Sequence, residues 1–226
     1  MAEIKHIVSR DNPLLLRLRK LAGDPAAYRT QGVVWIEGEH LCSAWVQRGR
    51  LVPQAVITEP AWDMPALRQL AEQAAAVAVV PAAAMHSISP LESSPPLAFC
   101  VPWHGAGELL PQRPSVVLDR LQDAGNVGNV LRSAAAFGFS QVIALKGTAA
   151  LWAPKVLRAG MGAHFGLHLV EGVDEAALDA LNIPLLAGSS HAKTVIHQIA
   201  LPWPCAWVLG HEGQGVSAEL LRRCAQ

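Results

Sequence analysis

Short, mostly apolar runs recur through the second half of this chain, spaced by stretches of helical composition. Residues 115–119, 141–145, 167–170, 184–188 and 206–210 are the runs, and residues 129–137, 154–161, 174–181 and 217–224 read as helices among them. A strand with one face in water alternates apolar and polar side chains. A strand that is apolar throughout is covered on both faces, which is the condition of a parallel sheet flanked by crossover helices. The predicted class for this half is therefore α/β, a parallel sheet with helices on both faces.

The first half alternates in the same way. Asp11-Asn12-Pro13 has the form of a helix start, and Leu14, Leu15, Leu18 and Leu21 follow at helical spacing with Arg17, Arg19 and Lys20 among them. Residues 40–48 and 65–76 read as further helices. Residues 33–38, 55–58, 77–80 and 97–101 read as strands. Prolines then crowd the stretch from Pro90 to Pro114, and residues 102–113 are the candidate linker. The expected organisation is a first domain over 1–101 and a second over 114–226, which a chain of 226 residues can accommodate.

Composition removes several classes. With 51% hydrophobic and 16% charged residues the chain is not disordered. Its 18 basic and 18 acidic residues balance, so a nucleic-acid partner would have to be held by local patches. The cysteines at 42, 100, 205 and 224 are far apart and form no CxxC pair, so free thiols are expected rather than disulfides or zinc. His164 and His168 are four apart, but His168 falls in a predicted strand, and no metal site is expected. There is no signal-peptide core and no apolar run long enough to span a bilayer; a cytoplasmic enzyme is the expectation.

Two constellations carry chemistry. The first runs from Leu118 to Arg132 as Leu-Asp-Arg-Leu-Gln-Asp-Ala-Gly-Asn-Val-Gly-Asn-Val-Leu-Arg: a strand, a Gly/Asn-rich loop, then a helix from about residue 129. Such a bend lets backbone approach a ligand closely. It is neither the G-x-G-x-x-G dinucleotide fingerprint nor a Walker loop. The second, Val208-Leu209-Gly210-His211-Glu212-Gly213-Gln214-Gly215-Val216-Ser217, places three glycines and an acid after an apolar strand, with Ser217 as a helix cap. Each alone is compatible with a plain turn.

Taken together, their order and spacing resemble the SpoU/TrmH class of RNA ribose methyltransferases. D-x-x-x-D-x-x-N-x-G-x-x-x-R-x-A-x-x-F-G over Asp119–Gly138 is similar to that family's first motif, and L-G-x-E-G-x-G-[LV]-S over Leu209–Ser217 to its second. Residues 154–163 resemble the segment lying between them. Ser9-Arg10-Asp11-Asn12-Pro13 and Ile36-Glu37-Gly38-Glu39-His40-Leu41 resemble the family's RNA-binding front domain, which is related to a ribosomal-protein fold. The family's third motif, a Ser-x-Asn segment, has no counterpart before Gln226. A truncated or omitted tail is the expectation, with an incomplete donor pocket in the residues given.

The resemblance implies a SPOUT-type sheet closed by a trefoil knot, S-adenosylmethionine as cofactor, an rRNA or tRNA substrate and a homodimer. It implies catalytic roles for Arg132, Asn126 and Glu212. A guanidinium keeps its proton at neutral pH, so Arg132 is better suited to binding a phosphate and stabilising a developing alkoxide than to acting as base. Asn126 would orient Arg132, and Glu212 would accept hydrogen bonds from these groups or across a subunit interface. The donor would lie against Leu186, Ala187, Gly188 and Ser189 and the Leu209-Gly210 turn. Arg10, Asn12, Arg17, Lys20, Lys155 and Arg158 are the candidate RNA contacts. The alternatives are a non-catalytic RNA-binding module and, less well matched, an α/β oxidoreductase.

Overall fold

A computed structural model describes residues 2–89, 93–188 and 195–225. The chain divides into two compact units, Met1–Gly105 with Trp152–Phe165, and Ala106–Leu151 with Gly166–Gln226. In chain order the elements are β1 (Glu3–His6), α1 (Pro13–Gly23), α2 (Ala27–Gln31), β2 (Val33–Glu37), α3 (Glu39–Val46), β3 (Gln54–Thr58), α4 (Glu59–Trp62), α5 (Pro65–Ala71), β4 (Ala76–Val80), α6 (Ala82–Ile88) and β5 (Leu97–Pro102). They continue with β6 (Ser115–Leu118), α7 (Ala124–Ala136), β7 (Gln141–Leu145), α8 (Pro154–Gly160), β8 (His168–Val173), a 3₁₀ helix over Glu175–Ala180, β9 (Leu185–Ala187), β10 (Ala206–Leu209) and α9 (Ala218–Arg223).

The first unit is built on a mixed sheet of order β1-β4-β3-β5-β2, with β1, β4 and β3 parallel and β5 antiparallel to both β3 and β2. Helix α1 starts where its sequence requires: the Asn12 side chain accepts the Leu14 N–H at 2.9 Å and Pro13 occupies the first turn. Its Leu15, Leu18 and Leu21 are buried, as their spacing predicts. The segment 152–165, expected in the second domain, clusters instead with this unit. Phe165 meets the Trp45 ring edge-on at 5.1 Å, and Arg50 donates from Nη2 to the Phe165 carbonyl at 2.8 Å. Gly160 is required there because a Cβ would run into the His164 ring.

The second unit has a five-stranded, wholly parallel sheet of order β8-β7-β6-β10-β9. Val117, Ile143, Val170, Leu185 and Val208 point to one face, where Leu178 of the 3₁₀ helix and Leu220 of α9 cover them. Burying each such side chain contributes about 1.5–3 kcal/mol. Val116 and Trp207 point to the opposite face and share a groove with Val130 and Ala134 of α7. Helices therefore lie on both faces. The stretch 102–113, read as a linker, is tied down at both ends. Trp103 donates its N–H to the Gly32 carbonyl at 2.9 Å within the first unit. In the second, buried Gln141 accepts the Leu110 N–H at 2.8 Å and donates to the Leu110 carbonyl at 3.1 Å.

Several elements differ from expectation. Helix α7 begins at Ala124, five residues before the expected start, because the Asp123 side chain caps it by accepting the Asn126 N–H at 2.7 Å. What reads as a Gly/Asn loop is thus the helix's own first turn. The helix expected over 65–76 ends at Ala71. β1, α2, α4 and α6 were not anticipated. All four cysteines are free, and Cys42, Cys100 and Cys205 are buried. Among the described residues no helix is long and apolar enough to cross a membrane.

Candidate active site

The chain runs outward from β6 through β7 to β8, then crosses to the other side of β6 to place β9 and β10. Strand order therefore reverses between β6 and β10, and open α/β sheets hold their ligands beyond the carboxyl ends of the strands at such a point. The 119–123 bend, which leads into α7, and the glycine-bearing bend after β10 emerge there side by side. The Asp119 N–H donates to the Leu209 carbonyl at 2.8 Å, carrying the β6–β10 pairing to the start of the bends.

Glu212 joins the two. It is exposed, yet its carboxylate accepts the Gln122 N–H at 3.2 Å, the Asp123 N–H at 3.0 Å and the Asn126 Nδ2–H at 3.3 Å. Its own N–H and those of Asp123 and Gln122, with Asn126, favour the charged form and hold its pKa down at about 2. A second tie lies deeper. Asp119 is 1% exposed and accepts from Arg120 Nε at 2.7 Å, from Arg120 Nη2 at 3.1 Å and from the Ser217 N–H at 2.7 Å. Ser217 caps α9 and donates its hydroxyl to Glu175 at 3.1 Å. The bend between is compact: His211 and Gly215 exchange backbone hydrogen bonds at 3.0 and 2.8 Å, and His211 Nδ1 accepts the Gly213 N–H at 2.9 Å. A Cβ on Gly210 would overlap the Gly215 carbonyl carbon and the Val216 nitrogen, so this position admits glycine alone.

The donor-side candidates assemble at the same edge. Leu186 pairs with Trp207 and Ala187 with Val208 in parallel register, so Leu186, Ala187 and Gly188 end beside Leu209 and Gly210. A Cβ on Gly188 would face open space, leaving its backbone approachable. Ser189 lies outside the described residues. Arg132 is treated differently by the fold. It is on the exposed part of α7, about 9 Å along the axis from Asn126, and no hydrogen bond or ion pair of it occurs among the described residues. Asn126 thus engages Glu212 rather than Arg132. Of the RNA candidates, Arg10, Arg17, Lys20, Lys155 and Arg158 are exposed, and Arg17 donates to Gln31 at 3.0 Å. Asn12 spends its side chain capping α1. Sequence reasoning assigned no role to Asp119, Arg120, Gln214 or Glu175; for Asp119 the signals were its place at the end of an apolar strand and at the first fixed position of the first motif.

The SpoU rRNA Methylase family model matches residues 113–226. The chain belongs to this family. A mitochondrial rRNA methyltransferase 3 of Mus musculus is 52% identical to this SpoU-family chain over 59 residues, which is 26% of the chain and 14% of that protein's length. The crystal structure of an RNA 2′-O ribose methyltransferase matches with a TM-score of 0.80 and 27% identity over 98% of this chain and 87% of that one. An AdoMet-bound rRNA methyltransferase from Sinorhizobium meliloti has the same fold, with a TM-score of 0.83 at 21% identity over 98% and 86% of the two chains.

Proposed function

We propose that this SpoU-family protein transfers a methyl group from S-adenosylmethionine to a ribose 2′-hydroxyl of rRNA or tRNA. One observation carries the reading: Asn126 of the first motif donates to Glu212 of the second at 3.3 Å, beyond the adjoining ends of β6 and β10. Family membership and the fold shared with enzymes of that name support it. When bound, the donor supplies an electrophilic methyl on a sulfonium. Leu186–Gly188 and the Leu209-Gly210 turn fit its bed, since apolar side chains adjoin backbone that Gly188 leaves open. Glu212 and Asn126 keep the two bends in one shape. Arg132 supplies a permanent positive charge for a phosphate or a developing alkoxide, and the ribose proton leaves to water or to another group. Arg10, Arg17, Lys20, Lys155 and Arg158 hold the RNA backbone. The working form is a cytoplasmic homodimer; the exposed Phe137 and Trp203 and the groove between α7 and β10 suit cover by a second copy.

Isothermal titration with S-adenosylmethionine, followed by transfer of labelled methyl to rRNA and tRNA with mapping of the 2′-O position, tests the reading; sedimentation of the same sample reports the oligomer. Arg132→Ala is expected to abolish transfer while sparing donor affinity. Retained turnover removes Arg132 from the chemistry. RNA binding without donor binding would replace the enzyme by a non-catalytic RNA-binding module.

A further inference from the structure

Arg120 stands outside every role assigned above, yet three strand-end loops meet on it. Its backbone is left-handed, with φ at 59°, a conformation in which a side chain is disfavoured and glycine is the usual occupant. The side chain that is nevertheless present makes three hydrogen bonds, one from each guanidinium nitrogen. Nε and Nη2 form a fork on Asp119 at 2.7 and 3.1 Å, and Nη1 donates to Gln214 Oε1 at 3.1 Å. Its stem lies against Gly147, where a Cβ would come within 3.2 Å of Arg120 Cγ. The loop that carries Gly147 is itself tied to this bend, since Thr148 donates its hydroxyl to the Leu118 carbonyl at 3.0 Å and the Ala149 N–H donates to the Leu121 carbonyl at 2.8 Å. The loops after β6, β7 and β10 are therefore joined through one guanidinium and its stem. Glu212 holds the middle of the 210–217 bend; the Arg120–Asp119 pair holds it at Gln214 and Ser217.

We propose that Arg120 is a positioning residue, which clamps the 210–217 bend into the shape that receives the methyl donor. The proposal rests on the reading of the site given above. An aspartate alone could hold Ser217, and only the fork of an arginine can engage Asp119 twice while a third N–H reaches the neighbouring bend. Lysine, with a single point of charge, cannot make all three bonds in fixed geometry.

The test compares the parent protein with Arg120→Gly, Arg120→Lys and Gln214→Ala. It uses amide hydrogen exchange of residues 211–217 without ligand, titration with S-adenosylmethionine, and thermal melting. Arg120→Gly relieves the left-handed conformation and removes the clamp. Its exchange over 211–217 is expected to rise about tenfold and its donor Kd about tenfold, since the tie to Gln214 is lost together with the fork on Asp119. Gln214→Ala is exposed, preserves the Asp119–Arg120 pair, and is expected to shift both readouts the same way by about threefold. Arg120→Lys is expected to fall short of the parent in both. Unchanged exchange and donor affinity in Arg120→Gly and Gln214→Ala would overturn the clamp, and Gln214→Ala decides alone if Arg120→Gly does not fold. A parent protein that fails to bind the donor overturns the reading of the site, and the exchange measurement still decides on the clamp.

Discussion

Removing the Asp119 carboxylate should loosen the second unit by an amount that its contacts allow to be worked out. In Asp119→Ala the Ser217 N–H loses a charged acceptor at 2.7 Å in a part-buried position. A hydrogen bond of that kind is worth about 1.5–3 kcal/mol. Arg120 also loses its partner, but its side chain is 35% exposed and regains water, so that pair contributes about 0.5–1 kcal/mol after screening. Together the loss is about 2–4 kcal/mol, or roughly 4–16 °C in the melting midpoint at the scaling for a chain of 226 residues. Asp119→Asn keeps the volume but offers one acceptor oxygen to donors from Ser217 and Arg120, and turns a donor of its own toward one of them. It should fall between parent and alanine variant, nearer the latter. Differential scanning calorimetry and urea unfolding on the three proteins measure this. If Asp119→Ala melts within about 1 °C of the parent, the buried tie is not what holds α9's start to the end of β6.

Gly210→Ala should cost about 1–3 kcal/mol, because the atoms in the way of its Cβ are backbone of Gly215 and Val216 and cannot rotate aside; an unshifted melting curve would refute this. The Glu212 carboxyl has its pKa lowered from 4.5 to about 2, so the stabilisation it adds is complete above pH 4.5 and is lost as pH falls through about 2. Amide proton shifts of Gln122 and Asp123, followed by NMR, should titrate near the low value in the parent and not in Glu212→Gln, while neither protein should show a related change between pH 6 and 8.

The parallel sheet was legible because its strands carry adjacent apolar residues on both faces: Val116, Val117, Val142, Ile143 and Val208 need cover on both sides and can find it in one kind of sheet. β1 was hidden for the opposite reason. All four of its residues are exposed, so Glu-Ile-Lys-His carries no pattern of burial, and the strand exists only by pairing its backbone with β4. The early start of α7 was hidden by its glycines, which read as loop. Gly125 is helical in fact, and a Cβ there would come 3.0 Å from the Asp123 oxygen that caps the helix. The placement of 152–165 could not be read from order along the chain, since it depends on Trp45 and Arg50 meeting Phe165, a contact separated by more than a hundred residues.

Within the candidate site the same division has a physical cause. Leu209, Gly210, Asn126 and Glu212 could be singled out because they fall on the fixed positions of the two stretches that resemble the SpoU/TrmH motifs. Arg120 and Gln214 fall on none of them, and their identity matters only through each other and Asp119. Beside ties within a bend, such as Arg120 to Asp119 and Gly213 to His211, several polar ties at this edge run from one bend to the other: Glu212 to Gln122, Asp123 and Asn126, Asp119 to Ser217, Arg120 to Gln214. The Ser217 N–H, Gln214 Oε1 and the Glu212 carboxylate find these partners on the other bend. That is why each motif alone is indistinguishable from an ordinary turn. It also means that loosening either bend should unsettle the proposed donor bed at Leu209-Gly210 together with the first turn of α7 at Asn126, since both hang on the same few hydrogen bonds.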